Sequence, residues 1–126
     1  LGGAGDDVIW GSNANESIIG GDGDDVIFGG IGADTLTGGA GADTFQFTRT
    51  STDCLITDFS ISEGDRITVY ASGVAEFDSQ SVVLTDNGFE VTYQDLVSGD
   101  ADVLSITLSD ASSYDLNTLV GAIDFF

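Results

Sequence analysis

Acidic side chains recur every nine residues in the first third of the chain, always at the same place in a repeated unit. They are Asp7, Glu16, Asp25, Asp34 and Asp43. Each aspartate among them follows a glycine-rich stretch, whose backbone can turn through positive φ angles and bring carbonyl oxygens toward a common point. Carboxylate and carbonyl oxygens together form the all-oxygen shell that a hard cation such as calcium takes. The spacing therefore predicts several metal sites in a row.

The repeated unit reads Gly-Gly-x-Gly-x-Asp-x-U-x, where U is a large apolar residue, and five copies follow one another without a gap. The copies are GGAGDDVIW from Gly2, GSNANESII from Gly11, GGDGDDVIF from Gly20, GGIGADTLT from Gly29 and GGAGADTFQ from Gly38. A fixed period of this kind predicts a solenoid. The second copy departs from the pattern at Ser12, Ala14 and Glu16, so we expect its metal site to be weaker.

Each copy supplies one turn and one short strand, so two copies make a full coil and copies two apart stack on the same edge. The eighth position is apolar in every copy and is predicted to point inward. These residues are Ile9, Ile18, Ile27, Leu36 and Phe45. On one edge, a cation between stacked turns would meet Asp7 with Asp25, and Asp25 with Asp43. On the other edge Glu16 would meet Asp34.

These repeats resemble the RTX repeats of Gram-negative proteins exported by type I secretion, which form parallel β-rolls with calcium in their turns. The resemblance covers residues 1 to about 70 well and the remainder loosely. It implies that an ion takes the carbonyls at positions two and four and the aspartate of one turn. From the turn two copies later, the ion takes the carbonyls at positions one and three and the aspartate.

Carried onto this chain, the family pattern assigns three calcium sites. One site consists of Gly3, Gly5, Asp7, Gly20, Asp22 and Asp25. The next consists of Gly21, Gly23, Asp25, Gly38, Ala40 and Asp43. The third consists of Ser12, Ala14, Glu16, Gly29, Ile31 and Asp34. Gly30 and Gly32 of the fourth copy are also assigned as metal-binding residues.

Residues 56–67 are similar to the segment that follows the roll in RTX proteins, and by that resemblance Asp58 and Asp65 close the last calcium site. The residues alone leave an alternative, in which Asp65 is a turn residue before a strand at 66–70, since Gly64-Asp65 favours turns. The sequence thus predicts an all-β fold. A calcium-bound parallel β-roll spans residues 1–46, and an antiparallel β capping region with one short C-terminal helix spans residues 47–126.

The capping region contains three recognisable patterns. Strands at 81–85 and 89–93 flank Asp86-Asn87-Gly88 and predict a β-hairpin, with Asn-Gly as the favoured two-residue turn. A further strand is predicted at 103–108, and residues 115–122 have the pattern of a short helix. The strands either extend the two sheets of the roll or pack over its end.

The charge of the chain limits its partners and bears on its folding. With 22 acidic and two basic residues the net charge is -20, which excludes a nucleic-acid binder and disfavours an anionic membrane surface. Crowded carboxylates repel one another, so we expect a roll without cations to be disordered and calcium binding to supply folding free energy. The alternative is a flexible glycine-rich linker. Such a linker would have no reason to place an apolar residue at every ninth position.

Catalysis has little support, because the chain has no histidine and hence no His-based triad, zinc-protease motif or histidine general base. Cys54, in an apolar stretch, is predicted to be a small buried residue.

The ending Ala122-Ile123-Asp124-Phe125-Phe126 resembles the uncleaved C-terminal secretion signal of RTX proteins, and burial of both phenylalanines in the cap is the competing explanation. Trp10 and Phe28 occupy the outward ninth position of their copies on the same edge of the roll. Two roles are open for them: binding a partner or sugar, or being covered by an upstream domain or the cap.

We therefore expect a non-enzymatic module that binds several Ca2+ ions and folds outside the cell, at the C-terminus of a larger bacterial protein, an adhesin. Its expected partners are the type I secretion machinery, reached through the C-terminus, and the upstream domains of the parent, with no nucleic acid and no membrane insertion. Two alternatives remain: a calcium-dependent polysaccharide-binding module, or the C-terminal domain of a secreted protease, lipase or alginate epimerase.

Overall fold

Two sheets account for the secondary structure of the described chain. The computed structural model describes residues 1–48, 51–70, 75–76, 82–85, 88–95, 101–108 and 121–125. In these ranges the strands are β1 (Gly3–Ala4), β2 (Val8–Trp10), β3 (Ser17–Asp22), β4 (Val26–Phe28), β5 (Gly32–Ala40), β6 (Thr44–Thr48), β7 (Ser51–Ile56), β8 (Arg66–Tyr70), β9 (Ala75–Glu76), β10 (Val82–Thr85), β11 (Gly88–Asp95), β12 (Ala101–Leu108) and β13 (Ile123–Phe125). The all-β prediction is confirmed.

The repeat strands alternate between the two sheets and pair in parallel. The first sheet has the order β1-β3-β5-β7-β12-β11-β10, with β9 beside β11, and the second has the order β13-β8-β6-β4-β2. Within the repeats Gly3 pairs with Gly21 and Ile27 pairs with Phe45, so each residue meets its equivalent two copies later. Two copies therefore make one coil, as the period predicts.

A narrow apolar core runs between the sheets. The eighth-position residues from the second copy onward are buried: Ile18, Ile27, Leu36 and Phe45. Ile9, in the first coil, is partly buried and packs against them. Cys54 is also fully buried, as predicted, and its thiol lies 3.7 Å from the carbonyl oxygen of Gly32. The core continues without a break into the capping region through Phe47, Ile56, Phe59, Ile67, Val69, Leu108, Ala122 and Ile123.

The regular two-copy spacing ends after the fifth copy. In the first sheet Gly32 pairs with Ser51 and Leu36 with Ile56, so both partners lie further along the chain than the repeat period places them, and the register shifts near Ala33. In the second sheet Thr44 pairs with Arg66, which lies further along again. These longer connections no longer follow the repeat, yet both strands still pair in parallel and extend the roll by one coil.

The capping strands extend the sheets of the roll, which decides between the two arrangements left open by the sequence. β12 lies parallel to β7, and β13 lies parallel to β8. Antiparallel pairing is found among β9, β10, β11 and β12, at the far edge of the first sheet. The cap is thus a direct continuation of the solenoid.

The predicted hairpin is present as β10 and β11. Its register pairs Thr85 with Gly88, so Gly88 begins a strand and the two connecting residues are 86 and 87, which lie outside the described residues. Gly88, expected in the turn, is therefore the first residue of β11. Of the helix predicted at 115–122, residues 115–120 lie outside the described ranges. Within those ranges, no helix has the length and apolar character needed to cross a membrane.

The C-terminal strand β13 is attached to the second sheet by side chains as well as by its backbone. Ala122 and Ile123 are buried against the core. Arg66 donates from Nε to Oδ2 of Asp124 at 2.9 Å and from Nη2 to Oδ1 at 2.7 Å. This exposed bidentate pair lowers the pKa of Asp124, mainly through its hydrogen bonds. The acidic residue of the C-terminal tail thus has a structural partner in the folded chain, while the side chains of residues 125 and 126 lie outside the description.

Candidate metal centres

The sixth-position acids form a continuous row along each edge of the roll, which we call the acid ladder. The backbone N–H of Asp7 donates to Oδ1 of Asp25 at 2.8 Å, and the N–H of Asp25 donates to Oδ1 of Asp43 at 3.0 Å. On the other edge the N–H of Glu16 donates to Oδ1 of Asp34 at 2.9 Å. The structure therefore brings together the three pairs of acids that the repeat spacing predicts.

The second carboxylate oxygen of each repeat aspartate in the ladder has no hydrogen-bond partner among the described residues. Oδ2 is buried and accepts no hydrogen bond within the described part of the chain in Asp7, Asp25, Asp34 and Asp43. The last three residues are each only 1% exposed. A buried charged oxygen without a partner is costly, and a bound cation removes that cost. The donor set therefore fits a hard cation.

First-position glycines leave room for these oxygens. A Cβ placed on Gly2 would lie 2.6 Å from Oδ2 of Asp7 and 2.6 Å from the carbonyl oxygen of Gly20, so both oxygens approach the same small volume. The same crowding occurs at Gly20, where Oδ2 of Asp25 and the carbonyl oxygen of Gly38 meet. Carboxylate and first-position carbonyl thus converge between stacked turns, in the combination assigned from the sequence.

Carbonyls at positions two and four point the other way, toward the turn two copies later. The carbonyl oxygen of Gly5 lies 2.6 Å from where a Cβ of Gly23 would stand, and Gly23 has a φ of 131°, which strongly favours glycine. The carbonyl oxygen of Gly3 faces Gly21, and that of Gly21 faces Gly39. The carbonyl oxygens at positions two and four of one turn therefore meet the first-position carbonyl and the carboxylate of the next turn between the coils. An ion held by two turns requires this arrangement.

Third-position carbonyls are already engaged in hydrogen bonds. The carbonyl of Asp22 accepts from the N–H of Gly5 at 2.6 Å, and that of Ala40 accepts from the N–H of Gly23 at 2.8 Å. A carbonyl oxygen has a second lone pair, so the bond still leaves it able to ligate a cation. The side chain of Asp22 is exposed, consistent with an assignment through its backbone alone.

The turn of the second copy differs in the way its sequence suggests. No residue other than glycine in the described ranges has a positive φ, so Ser12 and Ala14 adopt another backbone conformation. Their carbonyl oxygens still face Gly30 and Gly32 of the fourth copy. Glu16 folds back on its own turn, where Ser12 donates from its N–H to Oε2 at 2.5 Å and from Oγ to Oε1 at 2.8 Å.

These contacts occupy both oxygens of Glu16, whereas each ladder aspartate of the repeats keeps one oxygen without a hydrogen bond in the described chain. An ion on this edge would have to compete with the Ser12 hydrogen bonds. Gly29 and Asp34, the partners expected from the fourth copy, are in place: a Cβ on Gly29 would lie 2.5 Å from Oδ2 of Asp34. The carbonyl of Ile31, also assigned here, belongs to the same turn.

Asp65 extends the acid ladder beyond the repeats. It is 4% exposed, and its Oδ1 accepts from the N–H of Asp43 at 2.9 Å, although the two residues are further apart in sequence than the repeat period. Its Oδ2 accepts from the N–H of Ser60 at 2.8 Å, across the turn that precedes β8. Asp65 therefore joins the ladder and also closes a local turn, as one of the two interpretations predicts; its role in a calcium site stays a prediction.

Asp58 lies at the same turn as Asp65, where both contact the fifth copy at the end of the roll. Its two carboxylate oxygens accept from the N–H groups of Gly38 at 2.9 Å and Gly39 at 2.8 Å. Both oxygens of Asp65 are likewise hydrogen-bonded to backbone amides. The pair assigned to the last calcium site thus lies at the end of the roll, with its carboxylates engaged by the protein.

Burial in an acidic surrounding raises the pKa values of several ladder carboxyls. For Asp65, burial raises the pKa to about 6, with repulsion from Asp43 and Asp58 adding to the shift against two backbone hydrogen bonds. The pKa values of Asp34 and Asp43 are also raised, mainly by burial and further by repulsion from the acid stacked below each one. Without a cation, the fold therefore favours protonated carboxyls.

These shifts predict opposite pH responses with and without calcium. The folded pKa of Asp65, about 6, lies above its ordinary 3.8, so protonation favours the folded state. In chelator, the folded state should therefore gain stability as the pH falls through about 6, with the gain complete below 3.8. In calcium, lower pH should weaken binding because protons compete for the carboxylates. Circular dichroism at about pH 7 and about pH 5 measures both effects, and greater calcium-free β structure at the higher pH would contradict them.

Within the described ranges, no three side chains of histidine, cysteine, aspartate or glutamate converge on one point. The candidate centres consist instead of carboxylates in pairs, surrounded by backbone carbonyls. The sequence analysis missed the side chains at the fifth position, Asp6, Asn15 and Asp24, which also make contacts between coils. The signal for them was their polarity in the first three copies, against alanine in the last two.

One of three comparisons with known proteins, the match to a family model, agrees with the repeat assignment. Residues 1–25 and 10–45 match the family model described as the RTX calcium-binding nonapeptide repeat, with four copies. The repeats are thus of the RTX calcium-binding type. Among solved structures, the chain is similar to the solution structure of the AlgE6R3 subunit of the Azotobacter vinelandii mannuronan C5-epimerase. The identity is 26%, the match covers 98% of this chain and 80% of that chain, and the TM-score is 0.35. No curated protein gives a significant match.

Proposed function

We propose that this chain binds several calcium ions through its RTX-type repeats, folds when it meets extracellular calcium, and supports type I secretion of a larger bacterial protein, an adhesin. The observation that carries the proposal is the row of buried Oδ2 atoms in Asp7, Asp25, Asp34 and Asp43, none with a hydrogen-bond partner in the described chain. Each lies in a turn lined by carbonyl oxygens. Calcium bound there supplies the positive charge that these oxygens lack.

Folding and binding are coupled because the sites exist only between stacked coils. In an extended chain the acids of one ladder are two copies apart, and the net charge of -20 keeps them separated. Stacking brings the acids within hydrogen-bond distance of one another's backbone and buries them. The free energy of calcium binding must therefore offset both repulsion and burial, so it becomes folding free energy.

This coupling suits a protein that must leave the cell unfolded. Extracellular calcium modules have dissociation constants of about 10⁻⁴ to 10⁻³ M, far above the free calcium of a cytosol. The chain stays unfolded inside and threads an export channel, then folds outside or at the cell surface. Its partners are the secretion machinery, which meets the C-terminus, and the upstream domains of the parent protein.

The C-terminal tail is consistent with this order of events. Once folded, it forms β13, with Ala122 and Ile123 buried and Asp124 bound to Arg66. A secretion machine can contact the side chains of Ala122 and Ile123 only before the sheet forms. The module itself is proposed to be non-catalytic, since the chain has no histidine and its repeated carboxylates are accounted for by calcium.

Limited proteolysis at two calcium levels tests the proposal. At a calcium concentration of about 10⁻⁷ M, well below the range of extracellular modules, we expect rapid cleavage throughout residues 1–46. At about 10⁻² M, above that range, we expect the same segment to resist the protease. Equal resistance at both levels would contradict calcium-dependent folding. Export of the chain by a type I exporter, with and without residues 122–126, tests the secretion role separately.

A second candidate function, calcium-dependent polysaccharide binding, is favoured by one surface feature. The rings of Trp10 and Phe28 stack with centroids 3.8 Å apart and planes 7° from parallel, and Trp10 is 70% exposed. Exposed aromatic rings commonly mark binding surfaces. A glycan array in calcium, with Trp10→Ala as the control, separates the functions, because a pure export module binds no glycan.

A further inference from the structure

A second set of contacts between coils is made by fifth-position side chains, one residue before each acid of the ladder. The N–H of Asp24 donates to Oδ1 of Asp6 at 2.9 Å, and the N–H of Ala42 donates to Oδ1 of Asp24 at 2.8 Å. On the other edge the N–H of Ala33 donates to Oδ1 of Asn15 at 3.0 Å. We call this set the forward ladder, because each side chain reaches the coil that follows it.

The forward ladder runs opposite to the acid ladder. In the acid ladder the side chain of Asp25 reaches back to the N–H of Asp7, whereas in the forward ladder Asp6 reaches ahead to the N–H of Asp24. Two neighbouring residues therefore hold each coil to the next from both directions. Exposed aspartates that were merely solvated would not show this regular exchange with the backbone.

The sequence of the fifth position follows the spacing of the coils. Polar side chains occur where the next coil lies two copies on, and each finds its backbone partner there. Ala33 and Ala42 occupy the position in the last two copies, where the paired strand lies further along the chain than the repeat period. At those interfaces alanine offers no hydrogen-bond acceptor to the coil that follows. The change to alanine therefore marks the end of the regular roll.

Peptide geometry connects the forward ladder to the metal centres. A trans peptide is planar, and its N–H and C=O groups point in opposite directions. When Asp6 holds the N–H of Asp24 toward the earlier coil, the carbonyl of Gly23 in the same peptide points toward the later coil. There it faces Gly41. The carbonyl of Gly23 is also an assigned ligand of the site formed by Asp25 and Asp43.

We propose that Asp6 is a positioning residue for calcium, which orients the ligand carbonyl of Gly23 for the ion one coil further on. Asn15 makes the equivalent hydrogen bond on the other edge. Asn15 offers an amide oxygen, so a hydrogen-bond acceptor is sufficient and a negative charge is not required. The inference rests on the proposed calcium binding, and it makes each coil part of the site that follows it.

Substitutions at Asp6 in the full chain test this role. Loss of one exposed hydrogen bond predicts that Asp6→Ala weakens calcium binding by about three- to tenfold. Asp6→Asn keeps the acceptor and should bind calcium within about twofold of the wild type. Calorimetric titration measures the affinity, and hydrogen exchange of the amide of residue 24 reports the contact itself. Ala33→Asn, which adds an acceptor where the regular spacing ends, is the matched control and should change nothing.

The outcomes separate the inference from the proposed function. If the wild type binds no calcium, the proposed function fails. If the wild type binds calcium and Asp6→Ala binds it equally well, the inference alone fails. Equal weakening in Asp6→Ala and Asp6→Asn would assign the effect to charge and overturn the positioning role. If Asp6→Ala does not fold at all, hydrogen exchange in calcium-bound Asp6→Asn still tests the contact. Rapid exchange of the amide of residue 24 in that variant would refute it.

Discussion

Chelation of calcium is expected to abolish the parallel roll, with loss of most of the β-sheet signal in far-ultraviolet circular dichroism. The physical reason is the environment of the acid ladder, where Asp25, Asp34 and Asp43 are each 1% exposed and retain an oxygen without a hydrogen bond in the described chain. The core is a single row of apolar side chains between two short sheets. So narrow a core cannot offset several buried and mutually repelling carboxylates.

Magnesium is the control for this experiment. It has the same charge as calcium, but it prefers an octahedral shell at about 2.0–2.1 Å and gives up its waters reluctantly, so a site rich in carbonyls should bind it poorly. We expect calcium, and not magnesium, to restore the β-sheet signal after chelation. An equally folded β spectrum in calcium and in chelator would refute the dependence of the fold on the ion.

Asp25→Asn is expected to cause the largest loss of any single substitution in the roll. Asp25 accepts from the N–H of Asp7 and donates its own N–H to Asp43, so it lies between two assigned sites. Asparagine keeps one acceptor oxygen but replaces the buried Oδ2 with a donor. Removing one member of a buried ion pair costs about 3–5 kcal/mol, which corresponds to at least about a hundredfold loss of calcium affinity. Calcium titration followed by calorimetry measures it.

Asp22→Asn is the matched control for Asp25→Asn. It removes the same charge from the same turn, but the side chain of Asp22 is exposed and its carbonyl, which the substitution keeps, is the assigned ligand. We expect its calcium affinity to stay close to that of the wild type. Equal losses in the two variants would mean that general acidity, and not the buried ladder, controls binding.

The features that follow from the period were the ones the sequence could predict. Nine-residue repeats determine which side chains face inward, so the burial of Ile27, Leu36 and Phe45 was predictable, as was the stacking of Asp25 between Asp7 and Asp43. These relations depend only on the alternation of turn and strand. They need no knowledge of long-range packing.

The features after the fifth copy were less predictable, because no repeat constrains them. The longer offset that places Asp65 on Asp43 depends on the length of one irregular connection. Gly88 pairs with Thr85 in the sheet, although local sequence preference places it in the turn. The forward ladder could not be predicted, because the hydrogen bonds of Asp6 and Asp24 join residues of different coils and form only once the coils are stacked.

The position of Asp25 between two sites bears on how the chain responds to changing ion levels. An ion bound beside Asp7 would fix the carboxylate of Asp25, and Asp25 in turn holds Asp43 through its own N–H. Binding of the first ion thereby lowers the ordering cost of binding the second ion. This coupling is positive cooperativity. A chain built in this way folds across a narrow range of calcium concentration, as a threshold switch does.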